Sequence, residues 1–482
     1  MNLKIVIRVT GLLLLVEGAA MLVSLLVSLA TGGSDAAAFV WSALICTVPG
    51  AAAVLLTARA PQTITRREGF LIVALVWLIF SLFGALPYVI SGSIPRYTDA
   101  FFETMSGFTT TGASIVDLID PFPRGILFWR ALTHWLGGMG IIVLFLTMMP
   151  AFGIGGLQLY DAEVPGLSVE KISPRIHQTA RIVWGVYVLL TFLQTLLLMF
   201  GGMSLFDSVC HAFATMATGG FSTKQASIAF WPSPYIQYVI TLFMFLAGTN
   251  FTLLYFAGKG HFSRMFRDEE FKYYFLFVLG FTILIFSGLL IDTLMPAEQA
   301  FRDALFTVVS IITTTGFATT DYLKWSPVLY MLIFILFFFG GSTGSTGGGV
   351  KIMRIVLLLK NSYYELRRII HPSGVIPVRF NRHAIEPRII SNVLAFFMFY
   401  LMVFFVSTLF LMIFVGDMDT SMGAVASCLG NIGPGLGSVG PAFTYSQIPD
   451  AGKWFLSFLM MLGRLELFTV LVLFTPSFWT EQ

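Results

Sequence analysis

Four segments of this chain carry the same glycine turn at similar intervals, and this internal repeat constrains the fold more than any other feature. They read I-I-T-T-T-G-F-A-T at 311–319, F-T-T-T-G-A-S at 108–114, A-T-G-G-F-S-T at 217–223 and G-N-I-G-P-G at 430–435. The equivalent glycines, which lie 108, 96 and 117 residues apart, are Gly112, Gly220, Gly316 and Gly433. An aspartate precedes each glycine by 13 or 14 residues, where helix capping is expected: Asp99, Asp207, Asp303 and Asp419. The pattern indicates four copies of one structural unit.

The composition places the chain in a membrane. Of its 482 residues 57% are hydrophobic and 11% are charged, whereas soluble domains carry about 25% charged residues. The apolar run of residues 3–30 is too long for a signal-peptide core, so we expect a retained first span. Cys46, Cys210 and Cys428 lie far apart in or beside apolar runs, where packing is the expected role.

The apolar segments predict an all-α polytopic membrane protein with ten transmembrane helices, because a spanning helix needs about 20 apolar residues. The first two spans, 5–30 and 37–57, form an N-terminal helical hairpin within 1–66. Each repeat then reads as a span, a short helix, a glycine turn and a second span. The short helices, of about a dozen residues, predict four re-entrant pore loops in pseudo-fourfold span–loop–span repeats. The repeats cover 67–152, 179–260, 268–362 and 386–482, with second spans at 125–150, 233–257, 326–359 and 452–475.

The basic residues predict the orientation. With both termini in the cytoplasm, 20 of the 28 Lys and Arg residues fall on the inner side and seven, including Arg130, fall outside. All four glycine turns would then enter from the outer face of a cytoplasmic (inner) membrane.

A glycine-rich run interrupts the second span of the third repeat. Glycine at this density does not hold a helix, and unwound backbone at membrane depth must be surrounded by protein or line a water-filled cavity. We therefore expect a gating loop beside an ion path. Its residues are Gly340, Gly341, Ser342, Thr343, Gly344, Ser345, Thr346, Gly347, Gly348 and Gly349, followed by Lys351. The spacing does not fit a nucleotide-binding loop, since Val350 separates Gly349 from Lys351.

Four extended glycine turns around one axis would present stacked rings of backbone carbonyls, which can replace the hydration shell of a monovalent cation. Glycine supplies backbone angles that a Cβ obstructs, and the carbonyl ends of the short helices favour a cation. The alternative is that the threonines merely bond to local backbone. The candidate filter residues are Thr110, Thr111, Gly112, Thr218, Gly219, Gly220, Thr314, Thr315, Gly316, Asn431, Ile432 and Gly433.

Arg464 is predicted to lie midway along the last span, where an arginine is costly by about 2.5–3.5 kcal/mol on insertion scales. One reading is a positive barrier below the filter that acts with the glycine-rich loop. The other is a structural pair with Glu466 or with a backbone carbonyl.

Together the four repeats, the single glycine per turn, the broken third repeat and Arg464 resemble the Trk/Ktr/HKT superfamily of potassium transporters. The N-terminal hairpin is similar to its TrkH branch. The resemblance covers essentially the whole chain. It implies potassium selectivity, a pseudo-fourfold pore in each protomer, a homodimer and a cytosolic nucleotide-binding regulator similar to TrkA.

The expected function is therefore potassium uptake through a gated, cation-selective pore, with potassium as the transported ion. An ion-coupled symporter, driven by protons or sodium, is the alternative. We expect no enzyme, no organic cofactor and no nucleic-acid partner. The predicted spans contain neither an H-E-x-x-H motif nor a His-Asp pair, and the six histidines have no metal-binding spacing.

Overall fold

The computed structural model describes residues 1–60, 64–140, 176–372, 374 and 376–480, and within them the chain is mainly α-helical. The strands of this part are β1 (Arg379–Phe380) and β2 (His383–Ala384), which pair as a small antiparallel hairpin. The predicted all-α class is confirmed.

The N-terminal hairpin consists of α1 (Leu3–Thr31) and α2 (Ala36–Leu56). The two helices approach closely at glycines, since a Cβ on Gly11 would lie 2.9 Å from the carbonyl oxygen of Gly50. Small residues allow such contact between helices in membranes. At the connection, the Asp35 carboxylate accepts hydrogen bonds from the Ser28 hydroxyl at 2.5 Å and the Ile126 amide at 2.8 Å. Asp35 therefore fastens the hairpin to the first repeat.

The four repeats share one order of elements: a long helix, a short helix, a turn and a second helix. The first repeat has α3 (Arg66–Gly84), α4 (Leu86–Ile90), α5 (Tyr97–Phe108) and α6 (Arg124–Gly138). The second has α7 (Ile176–Phe200), α8 (Leu205–Met216), α9 (Pro234–Ala247) and α10 (Phe251–Gly258).

A connecting helix, α11 (Phe262–Arg267), leads into the third repeat. This repeat has α12 (Glu269–Asp292), α13 (Ala297–Ile312), α14 (Pro327–Leu336) and α15 (Ile352–Ile370). The fourth has α16 (Pro387–Val415), α17 (Met418–Gly430), α18 (Asp450–Arg464) and α19 (Phe468–Leu471), and α20 (Pro476–Trp479) follows.

Six helices of the described part are long and apolar enough to cross a membrane, and two bent helix pairs raise the number to eight. The predicted number of ten also needs the second spans of the first and third repeats. Since residues 141–150 of the first of these lie outside the described part, that number stays a prediction.

The second spans of the second and fourth repeats were predicted as continuous helices, and this prediction is wrong. The pair α9 and α10 bends by 109°, and the pair Asp450–Arg464 and Phe468–Phe474 bends by 111°. In the second repeat the Asn250 side chain caps α10 by accepting from the Thr252 amide at 2.8 Å. In the fourth repeat Glu466 and Leu467 have φ angles of 56° and 47°, which end the helix. In the third repeat α14 ends at Leu336, and the chain is helical again from Ile352, as the glycine-rich run predicts.

Candidate functional site

The four glycine turns share one backbone conformation. Each has two residues with positive φ, separated by one residue. The first angle is 54° at Thr110, 53° at Thr218, 59° at Thr314 and 54° at Asn431. The second is 78° at Gly112, 80° at Gly220, 78° at Gly316 and 104° at Gly433. Non-glycine residues rarely adopt positive φ, least of all β-branched ones. Its presence at the same place in all four turns indicates one conserved geometry within the molecule.

The first of these residues ends each short helix in the same way. A left-handed residue after a helix turns the next amide back toward a carbonyl of the last turn. In every repeat the amide just before the glycine donates to the carbonyl five residues earlier. These bonds are Thr111 to Ser106 at 2.9 Å, Gly219 to Ala214 at 2.8 Å, Thr315 to Ser310 at 2.8 Å and Ile432 to Ser427 at 2.9 Å. The residue before each glycine is thus tied to its own helix end.

The four turns close into a ring. A Cβ on each glycine would meet the carbonyl oxygen of the next repeat in order. The distances are 2.0 Å from Gly112 to Gly219, 2.1 Å from Gly220 to Thr315, 1.9 Å from Gly316 to Ile432 and 2.8 Å from Gly433 to Thr111. A real Cβ atom essentially never lies within 3.0 Å of a heavy atom of a residue other than its chain neighbours, so glycine is required at all four positions. We call this arrangement the glycine ring.

A cavity of about 560 Å³ lies on one side of the glycine ring, and its walls include all four glycines. Residues that follow the glycines, such as Ser114, Phe221 and Tyr445, line the rest of it. A smaller cavity of about 130 Å³ is lined by the glycine-rich loop, Lys351 and Arg464. The loop contacts residues that precede the glycines, so the ring lies between the large cavity and the loop.

The glycine-rich loop is held beneath the glycine ring by backbone contacts. The Thr346 hydroxyl donates to the carbonyls of Met216 at 3.0 Å and Ala247 at 3.2 Å, both at helix ends of the second repeat. The amide of Gly348 donates to the Thr314 hydroxyl at 2.8 Å. A Cβ on Gly348 would lie 2.7 Å from the Cβ of Asn431. The loop therefore contacts the second, third and fourth repeats.

Two basic side chains stabilise the loop from its own side of the ring. Lys351, which is 8% exposed, donates to the Gly347 carbonyl. The Arg464 guanidinium donates to the Thr346 carbonyl at 2.7 Å, and to Gly137 and Gly138 at 2.7 and 3.0 Å. It also reaches the Thr110 hydroxyl at 3.3 Å. Arg464 thus joins the loop to the first repeat.

The position predicted for Arg464 is wrong, since the residue ends α18 and does not lie in mid-helix. A cation is favourable there because the carbonyl end of a helix carries partial negative charge. The sequence suggested Glu466 or a backbone carbonyl as the structural partner of Arg464, and the structure shows backbone carbonyls. The carboxylate of Glu466 pairs with Arg354.

A buried ion pair lies beside the glycine ring, and the sequence did not predict it. The Nε atom of Arg130 lies 2.6 Å from the Glu103 carboxylate, with side chains 4% and 0% exposed. Arg130 also donates to the Ser222 carbonyl at 2.9 Å, while Glu103 accepts from the Ile115 amide at 2.9 Å. The pair thus braces the segments that follow the first two glycines. The place of Arg130 within the predicted span 125–150 was the available signal for its burial.

The four aspartates of the repeat are not helix caps. Ser204 and Asp417 cap two of the short helices instead. Asp99 pairs with Lys453 at 2.6 Å, and Asp207 accepts from the Thr223 hydroxyl at 2.6 Å. Asp99 thus connects its short helix to the fourth repeat, and Asp207 connects its short helix to the segment after its own glycine turn.

The threonine hydroxyls near the glycine ring form hydrogen bonds with other residues of the turns. Thr109 pairs with Thr111, and Thr313 pairs with Thr315, each at 2.8 Å. Asn431, which takes the threonine position in the fourth turn, donates to the Thr111 hydroxyl and the Met460 carbonyl, both at 2.9 Å. These side chains hold the turns together and leave the backbone carbonyls as the candidate cation ligands.

The whole chain is similar to known transport proteins. A family model described as "TrkH: Cation transport protein" matches residues 36–481. The chain is 40% identical to the Trk system potassium uptake protein TrkH of Halomonas elongata and 41% identical to that of Escherichia coli K12, over the full length of both chains in each case. The crystal structure of the potassium transporter TrkH from Vibrio parahaemolyticus matches with a TM-score of 0.90 and 37% identity, covering all of both chains.

Replacing Glu103 by alanine would leave the Arg130 cation buried without its carboxylate. We expect the free energy of unfolding in detergent to fall by about 3 kcal/mol, since breaking a buried pair has about that effect. The matched control is Glu365→Ala, which removes a carboxylate that is 54% exposed and paired with Arg368. Exposed pairs contribute about 0–1 kcal/mol. Equal losses of stability in the two variants would contradict a bracing role for Glu103.

Proposed function

Because the chain belongs to the TrkH family of cation transport proteins, we propose that it takes up potassium through a gated, cation-selective pore on the axis of the glycine ring. The observation that carries the proposal is the closed contact between four glycines and four carbonyls. Four turns of one conformation around one axis can bring carbonyl oxygens from all sides to a single ion, which is how a dehydrated cation is stabilised in a filter.

Potassium as the transported ion is supported by the relatives, which are named potassium uptake proteins. The direction of the short helices is consistent with a cation. Each of them ends at its glycine turn, so four carbonyl ends with partial negative charge are directed at the ring. The filter ligands would be the carbonyls of residues 110–112, 218–220, 314–316 and 431–433.

The proposed topology has ten spans in an inner membrane, four re-entrant loops in the predicted repeats and both termini in the cytoplasm. The eight helices or bent helix pairs support it, as does the excess of Lys and Arg on one side. The larger cavity then opens outward, and the glycine-rich loop lies below the filter. A homodimer and a separate nucleotide-binding regulator belong to the same proposal, on the basis of the family resemblance.

In this proposal the structure represents a closed pore. The loop fills the space under the glycine ring, and two cationic side chains, Lys351 and Arg464, line the cavity there. A fixed positive charge near an ion path repels cations strongly where the surroundings have a low dielectric constant. Opening would require the loop, Arg464, or both to move.

We do not favour the alternative of a proton- or sodium-coupled symporter. Such transporters place their substrate site at broken helices related by inverted repeats. Here the four turns belong to one ring in the same order as the chain, which favours a continuous pore. The relatives are named as transporters, so we propose no enzymatic activity.

The first functional prediction concerns Gly316. In Gly316→Ser the new Cβ would lie 1.9 Å from the carbonyl oxygen of Ile432, so one wall of the ring must shift. We expect the potassium-to-sodium permeability ratio in proteoliposomes to fall about tenfold, or about 1.4 kcal/mol of discrimination. The control is Gly280→Ser in α12, where no atom lies within 4 Å of the added Cβ. An unchanged ratio at normal expression would remove Gly316 from the filter.

The second concerns the glycine-rich loop. The amide of Gly340 donates to the Val350 carbonyl at 2.8 Å, so the two ends of the loop are already joined and its middle can be shortened. Deleting residues 345–348 should raise basal potassium flux about tenfold, because the obstruction under the ring becomes smaller. The permeability ratio should stay that of the unmodified protein. Equal flux before and after the deletion would show a static break rather than a gate.

The third concerns the charge of Arg464. Arg464→Ala should raise potassium flux by about tenfold, equivalent to about 1.4 kcal/mol of barrier, while Arg464→Lys should retain most of the restriction. Because Arg464 also bonds backbone carbonyls, each variant is checked by size-exclusion chromatography. Intact protein without a gain of flux would refute the barrier. Loss of folded protein together with loss of flux would assign Arg464 a structural role.

A further inference from the structure

Three consecutive acidic residues at the start of α12, Asp268, Glu269 and Glu270, lie between the small β-hairpin and the glycine-rich loop. We propose that Glu270 is the positioning residue that holds the gate loop closed, and that this acidic triplet couples the β-hairpin to the loop. The proposal rests on the proposed gating function of the loop. It adds a point outside the loop from which the gate can be moved.

Glu270 bonds both to the glycine-rich loop and to the start of α15. One carboxylate oxygen accepts from the Thr343 amide at 2.6 Å and from the Met353 amide at 3.2 Å. Thr343 lies inside the loop, and Met353 is the second residue of α15. Glu270 is 6% exposed, so water competes little for these bonds. A single oxygen thus ties the loop to the helix that follows it.

The other two members of the triplet bond to the β-hairpin. The Asp268 carboxylate caps α12 through the Phe271 amide at 2.8 Å, and its second oxygen accepts from the Asn381 side chain at 2.9 Å. The oxygen of the Asn381 side chain accepts from the Glu269 amide at 2.7 Å. Asn381 lies in the turn between β1 and β2 with φ 47°. One asparagine therefore fixes the hairpin to the backbone that carries Glu270.

The hairpin is also attached to α15. Lys360 pairs with the Glu269 carboxylate and donates to the Arg379 carbonyl at 3.0 Å. Arg368 donates to the Ile376 carbonyl at 2.8 Å. The hairpin, the first turn of α12 and α15 are therefore one connected unit. A displacement of this unit changes the position of Glu270 relative to the Thr343 amide, and so changes the strength of the clamp.

The experiment measures potassium flux of the full-length protein in proteoliposomes, with Glu270→Ala, Glu270→Gln and Asn381→Ala. Losing hydrogen bonds worth about 1.4 kcal/mol shifts a two-state equilibrium about tenfold. We expect basal flux to rise about tenfold in Glu270→Ala and less in Glu270→Gln, whose amide oxygen still accepts. The permeability ratio should not change. The control is Asp292→Ala, which removes an exposed carboxylate from the opposite end of α12.

A second measurement reports the loop itself. The native cysteines Cys46, Cys210 and Cys428 are all buried, so Ser345→Cys can be labelled by a thiol reagent in the natural background. Labelling should be faster when Glu270→Ala or Asn381→Ala is added. Since both act on one connection, the Glu270→Ala and Asn381→Ala double variant should match Glu270→Ala alone. Independent, multiplying effects would overturn the coupling.

The outcomes separate the clamp from the gate. If deleting residues 345–348 leaves flux unchanged, the gate itself is wrong. If that deletion raises flux, but Glu270→Ala changes neither flux nor labelling at position 345, the gate stands and the clamp is overturned. A gain of flux from Glu270→Ala that persists undiminished in the deleted protein also overturns the clamp, because Glu270 then acts elsewhere.

Discussion

The contact between a glycine α-carbon of one repeat and a carbonyl oxygen of the next is the constraint on which the rest of the structure depends. Around the glycine ring this contact leaves no space for a Cβ. No turn can therefore shift without displacing its neighbours. The left-handed residue that ends each short helix brings the chain into this contact, and the amide bond to the helix end holds it there. The buried Arg130–Glu103 pair serves the same contact from outside.

Because one chain supplies all four turns, each copy can carry a different side-chain function on the same backbone. The fourth turn has Asn431 where the others have threonine, and it bonds back to the first turn through Thr111. The third repeat carries the glycine-rich loop, and the fourth carries Arg464, which reaches across to that loop. A ring of four identical subunits could not place one loop and one arginine on its axis.

The sequence predicts those parts of the site that depend on local backbone. Glycine spacing located all four turns and the broken third repeat, since glycine is required where φ is positive or contact is closest. Contacts between distant residues were not visible. Arg464 meets carbonyls more than 100 residues away, and Glu270 lies 73 residues from Thr343. The break after Arg464 was also missed, because the residues with positive φ there, Glu466 and Leu467, are not glycines and so give no sequence signal. Tertiary contacts override local propensity there.

Breaks follow α9, α14 and α18, so the second half of the second, third and fourth repeats consists of two separate helical segments. A continuous helix is stiff, so a change of tilt at one end also displaces the other end. Where the backbone hydrogen-bond ladder is interrupted, as at Gly248, at the glycine-rich loop and at Glu466, the helix that follows takes a direction of its own. The molecule thereby separates two mechanical requirements. The helices that carry the glycine ring are held by close contacts, and the helices beyond the breaks are not joined to them by a continuous helix backbone.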